Sequence, residues 1–246
     1  LASEFGLDAS YFTGAAYVIK GPDGIEAVYN ADFDLIGVVD STNHTLTMYN
    51  EQGDDLVFLV EIALSGFTGE LKDILTDVDG DGKASPGDII RERQDVTDLA
   101  ALAAELGIDV SYLADAAYLV RGPEGIESLI NQDYETFGVV DYDTHTLLLY
   151  DEYNDDYNFL TELALSGFTG NNINGDPAQV GDIIRERQEV TDPNDLAAEL
   201  GIDVAEVQGA AYVVKGPEGV EYILDQDYNQ IITPYDEYNQ ALNDYY

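Results

Sequence analysis

The 246-residue chain carries 50 Asp and Glu against 9 Lys and Arg, a formal net charge of −41, yet 45% of its residues are hydrophobic. That apolar content supports a packed core and excludes a disordered acidic tail, while the scarcity of cations excludes nucleic acid and anionic membrane surfaces as partners. With no cysteine, disulfide staples, thiolate metal sites and cysteine nucleophiles are excluded together.

Self-repulsion on this scale needs bound divalent cations, high salt or both, which suits a protein of saline surroundings. No apolar run approaches the roughly 18 residues of a membrane span. The chain opens on Leu1 with neither Met nor a basic-then-apolar leader, and so reads as a mature or processed product.

Taken in order, the chain repeats itself. Residues 14–26 recur at 115–127 and again at 209–221, with Ala-Tyr followed by an apolar pair, a cation and Gly-Pro. The first two copies stay in register through Gly69 and Gly170, so that His44 falls on His145 and Phe58 on Phe159. Between Gly69 and Gly87 the second copy is then shorter by seven residues. The boundaries read as repeat 1 over 1–98, repeat 2 over 99–192 and a truncated repeat 3 over 193–246, which either caps repeat 2 or completes a surface on another copy.

Each repeat is expected to open with two short helices. Good helix formers run to Gly107, which suits a C-terminal cap, and Asp109 suits the N-cap of a second helix. The spacing of Ala103, Gly107 and Leu113 resembles a helix-turn-helix, but the would-be reading helix lacks base-reading side chains. Two hairpins follow, one turning at 21–24 on Gly-Pro-Asp-Gly and one at 40–44, and then an apolar run over 56–64. The closing segment Ile-Ile-Arg-Glu-Arg-Gln, at 89–94 and 183–188, alternates and is read as a strand whose four arginines pair with carboxylates. The expected class is therefore α+β: tandem repeats, each a short helical hairpin followed by a mostly antiparallel sheet or sandwich of about five strands.

One stretch demands a particular chemistry. Asp77, Asp79 and Asp81 stand at positions 1, 3 and 5 of a twelve-residue loop, Gly82 permits the sharp turn at position 6, and Asp88 closes the loop at position 12. The Lys83 carbonyl and a water held by Ser85 complete the expected ligand set, and the cofactor expected is Ca2+. Clustered carboxylates repel one another unless a hard, oxygen-preferring cation sits among them. The loop resembles an EF-hand loop and, with Asp at its last position, the dockerin type; it also resembles loops in repeat domains of secreted prokaryotic surface proteins. In the second copy Asn172, Asn174, Asp176 and Asp182 occupy the ligand places with less charge, which reads as a weaker site. Because it precedes the helices of the next repeat, the loop is expected to act as a clamp between modules.

His44 and His145 recur at one turn position without a nucleophile nearby, so no enzyme activity is expected. Tyr150, Tyr153, Tyr157, Tyr235, Tyr238, Tyr245 and Tyr246 cluster in acidic segments and suit a contact surface. The expected function is an extracellular calcium-binding structural protein, a subunit that polymerises with copies of itself into a filament, sheath or surface layer. The alternative is a calcium-dependent adhesin or carbohydrate-binding module that contacts surface glycans.

Overall fold

The helix signals at the head of each repeat are obeyed, but they produce very short elements. Helix α1 spans Ala2–Phe5, α2 Leu99–Leu106 and α3 Pro193–Leu200, each ended by a left-handed glycine at Gly6, Gly107 or Gly201. The aspartate that follows, at positions 8, 109 and 203, caps only a single 3-10 turn of four residues before the chain runs on towards strand.

The computed structural model describes residues 1–22, 24–52, 55–153 and 156–232. It overturns the expectation of α+β repeats built on helical hairpins: among the described residues strand accounts for 43% in fifteen strands and helix for 16%, with three α-helices. The fold is mostly antiparallel β-sheet. The physical reason is that cap signals locate where a helix starts and stops without adding residues between. Two turns of helix bounded by αL glycine are too short to form a layer of their own.

Packing divides the chain into two compact units, Leu1–Thr97 with Asp115–Thr136, and Asp98–Ala114 with Phe137–Tyr246. The first contains β1 (Ala15–Gly21), β2 (Gly24–Asn30), β3 (Leu35–Asp40), β4 (Thr45–Gln52), β5 (Asp55–Ala63), β6 (Ile89–Asp95), β7 (Tyr118–Gly122) and β8 (Gly125–Ile130), each antiparallel to the next. The second contains β9 (Thr136–Asp141), β10 (Thr146–Tyr153), β11 (Asp156–Ala164), β12 (Ile183–Glu189), β13 (Tyr212–Gly216), β14 (Gly219–Leu224) and the short β15 (Gln230–Ile232), again antiparallel in chain order. The Ile-Ile-Arg-Glu-Arg-Gln segments are β6 and β12, the strands expected. Among the described residues no helix is long and apolar enough to cross a membrane.

In the first unit, α1 and its 3-10 turn lay Phe5, Leu7 and Phe12 against Ile25, Val28, Leu46, Met48 and Ile62 of the sheet. In the second, α3 and its 3-10 turn cover Val213 and Ile223 with Leu196, Ala197 and Val207. The short helices are thus lids on one sheet face, and alternation in strands such as β4, which buries Leu46 and Met48, supplies the apolar side they cover.

The arginines of β6 and β12 tie each of these strands to its neighbours. Arg91 donates to Glu61 at 2.8 Å and to Glu127 at 3.3 Å; Arg185 does the same to Glu162 and Glu221. The second arginine of each strand lies against a stacked tyrosine pair: Arg93 is 5.0 and 5.1 Å from the rings of Tyr118 and Tyr134, and Arg187 is 5.1 and 4.8 Å from those of Tyr212 and Tyr228. Burial and a bond to Tyr212 push the Tyr228 hydroxyl up to about 12, so this platform stays uncharged near neutral pH. Arg187 also donates to Asp151 at 2.9 Å. The equivalent of Asp151 in the first copy is Asn50, and there Arg93 Nη1 is buried without a hydrogen-bond partner.

Asn50→Asp should therefore raise the stability of the chain to urea, and Asp151→Asn should lower it, each by about 1–2 kcal/mol, the worth of a hydrogen bond to a charged group. Equilibrium unfolding followed by circular dichroism measures both; two unshifted curves would show that ring stacking alone holds the guanidinium.

Candidate metal centre

The loop is closed before its carboxylates are considered. Beyond β5 the chain returns so that Thr76 and Ile89 exchange backbone hydrogen bonds of 3.0 and 3.1 Å, and residues 77–88 form a loop with joined ends. Gly80 and Gly82 turn it at φ of 70° and 77°, conformations a side chain rarely adopts. Gly82 thus makes the turn expected at position 6.

Inside the loop each aspartate accepts backbone N–H groups. Asp77 Oδ1 accepts from Gly80 at 2.7 Å and Oδ2 from Gly82 at 2.8 Å; Asp79 Oδ1 accepts from Asp81 at 3.1 Å, and Asp81 Oδ1 from Lys83 at 2.8 Å. These bonds bring one carboxylate oxygen from each of Asp77, Asp79 and Asp81 within 4.8 Å of one another, a partly exposed group that can hold a metal ion. The Gly82 N–H, aided by that of Gly80, holds the Asp77 carboxyl below its ordinary value of 3.8.

Asp88 is not in that group. It is 1% exposed, and it accepts the Val78 N–H at 2.9 Å on one oxygen and the Ser85 N–H at 2.7 Å on the other. Ser85 Oγ connects the two parts, 3.2 Å from Asp88 Oδ2 and 3.5 Å from Asp79 Oδ2. Lys83 takes part through its backbone N–H. The clasp that Asp88 makes on Val78 and Ser85 had no signal in the sequence, because it depends on two backbone donors brought together by the finished loop.

The second loop reaches a similar closure with an amide. Asn172 Oδ1 accepts from the Asn174 and Asp176 backbones at 3.0 and 3.2 Å, and its Nδ2 donates to Asp182 Oδ2 at 3.2 Å. Asp182 also accepts the Gln179 N–H at 2.8 Å, and these bonds hold its carboxyl below the usual range. Among the described residues no group of metal-ligating side chains forms here; the donor in the place of Asp77 is neutral and already paired.

Each loop rests on the helical turn of its own unit. A Cβ placed on Gly6 would lie 3.7 Å from Pro86, and one on Gly87 4.0 Å from Leu7. In the second unit a Cβ on Gly181 would meet the Gly107 carbonyl at 2.9 Å, a space only glycine leaves. His44 and His145 serve the turns: both have positive φ, their carbonyls accept from Leu64 and Leu165, and their rings lie over Gly66 and Gly167. Tyr235, Tyr238, Tyr245 and Tyr246, and the side chains of Tyr153 and Tyr157, lie outside the described residues. Comparison with protein-family models, curated proteins and solved structures finds no match to this chain.

The depressed Asp77 value has a definite sign. The ionised carboxylate stabilises the loop above the ordinary value of 3.8, and that contribution is lost as pH falls through the lower folded-state value. In chelator, the Gly82 amide resonance should titrate with a midpoint below 3.8 and should cease to titrate there in Asp77→Asn. A midpoint at or above that value would mean that the hydrogen bond does not bias the carboxyl.

Proposed function

We propose that residues 77–88 bind calcium and that the chain is an extracellular structural subunit of a self-assembling surface layer, sheath or filament. The observation that carries the calcium reading is the convergence of Asp77, Asp79 and Asp81 within 4.8 Å on a loop turned by Gly82. Hard oxygen donors at positions 1, 3 and 5 suit a calcium ion, which accepts six to eight oxygens at irregular angles. The Lys83 carbonyl, water and Asp88, directly or through Ser85, are the remaining donors of this proposal. In a chain of net charge −41 the ion also relieves repulsion among carboxylates held close together. The likeness to EF-hand and dockerin loops extends over these twelve residues.

A structural role is supported by the architecture: similar antiparallel sheet repeats in tandem, with arginines committed to joining strands. Saline, calcium-rich surroundings outside the cell suit both the charge and the loop.

Isothermal titration of the chelator-treated chain with calcium should show one strong site, absent from Asp79→Ala and retained in Asn174→Ala. Loss in Asn174→Ala with retention in Asp79→Ala would move the site to the second loop, and no heat in the wild type would remove it. Negative-stain microscopy with calcium and with chelator tests assembly separately; monodisperse single particles in both conditions would reject the subunit role.

A further inference from the structure

Three copies of one hairpin can be compared strand by strand: β1–β2, β7–β8 and β13–β14. In the second and third, the first strand is flanked on its outer side by β6 or β12, with Arg93 opposite Val120 and Arg187 opposite Val214. In the first copy nothing among the described residues takes that place, and β1 pairs with β2 alone.

The features that receive the flanking strand are nevertheless present in the first copy. Tyr17 stacks on Phe33 at 4.6 Å and an interplanar angle of 5°, as Tyr118 does on Tyr134 and Tyr212 on Tyr228 at 4.9 Å. Phe33, like Tyr134 and Tyr228, adopts positive φ, an unusual backbone state that brings its ring under its partner. Glu26 lies across Gly21 as Glu127 does across Gly122 and Glu221 across Gly216, but only the latter two are met by an arginine, Arg91 or Arg185. Exposure marks the difference: Val18 and Ile19 are 39% and 50% exposed, whereas Leu119 and Val120 are 5% and 7%, and Val213 and Val214 are 4% and 0%. A bare edge with an apolar face, a ring platform and a carboxylate is a receptor for one more strand.

We infer that β1 is a docking edge for an extended segment of the Ile-Ile-Arg-Glu-Arg-Gln type, supplied by a repeat of this kind outside residues 1–246. The incoming strand runs antiparallel to β1. Its first arginine meets Glu26, its second stands opposite Ile19 and lies on Tyr17 and Phe33, and its glutamate faces Lys20. Residues 1–246 offer no spare segment for the role. Its two such strands are already flanked on both sides, by β5 and β7 and by β11 and β13, and residues 233–246 contain no Lys or Arg. Counted with the acid that follows it in both copies, Asp95 or Glu189, such a segment carries two arginines and two acids, so it is selected by the platform and not by bulk charge.

The test is independent of calcium and is run in chelator on the whole chain. A labelled peptide Ile-Ile-Arg-Glu-Arg-Gln-Asp-Val is titrated by fluorescence anisotropy, with β1 amides followed by NMR. Expected are saturable binding and shifts at the Val18 and Ile19 amides. Changing the second peptide arginine to Gln should weaken binding about tenfold, as should Tyr17→Ala with Phe33→Ala in the protein, while Phe33→Tyr, the residue of the other copies, should retain it. Because the peptide variant leaves the protein untouched, a folding defect cannot mimic its effect. Unmoved β1 amides at millimolar peptide, or equal binding of a scrambled peptide, would overturn the inference. Concentration-dependent shifts of β1 without peptide would also overturn it, by naming a second copy of the chain as the occupant.

Discussion

A guanidinium laid on two tyrosine rings is the interaction on which the sheet of each unit depends. The chain has nine cations, and four of them sit in β6 and β12. Arginine suits the place because its flat, weakly hydrated group stacks on aromatic faces while its edge still donates to carboxylates, which a lysine ammonium cannot do at once. Each such strand therefore gains side-chain contacts on both flanks: carboxylates of β5 or β11 behind it, and the rings and Glu of the following hairpin ahead of it. Excess acid elsewhere is turned to local use, as Asp8, Asp40, Asp109, Asp141, Asp192 and Asp225 each accept nearby backbone N–H groups at caps and turns.

Much of the local structure was legible in the residues. Gly107 and Asp109 marked the end of one helical element and the start of the next, the Gly-Pro turn marked the first hairpin, and alternation identified the segment at 89–94 as a strand, β6. The fold class was not legible. Whether two capped turns make a helical layer or a lid depends on how many residues separate the caps and on what lies beneath them. The pairing of β5 with β6 spans the whole loop region, and such non-local partners leave no trace in periodicity.

The candidate site divides in the same way. Positions 1, 3 and 5 and the glycine at 6 were readable because they are fixed by chain geometry within a few residues. The part of Asp88 was less so, since a buried carboxylate at a loop end can serve an ion, the backbone, or both. The first copy gathers three charged carboxylates where the second closes on the neutral amide of Asn172. The two loops therefore differ in charge while holding comparable places in their units.

The division into packing units cuts across the sequence period. Strands β7 and β8 belong by sequence to the second repeat, yet they complete the first unit, while α2, encoded between β6 and β7, folds into the second. For a chain made from its N-terminus this imposes an order on biosynthesis. The first unit stays open until residue 136 has left the ribosome, and α2 must wait unattached for strands not yet made. Each nascent repeat thus exposes an arginine-bearing strand that the next hairpin covers, so growth of the polypeptide and closure of the sheet proceed together.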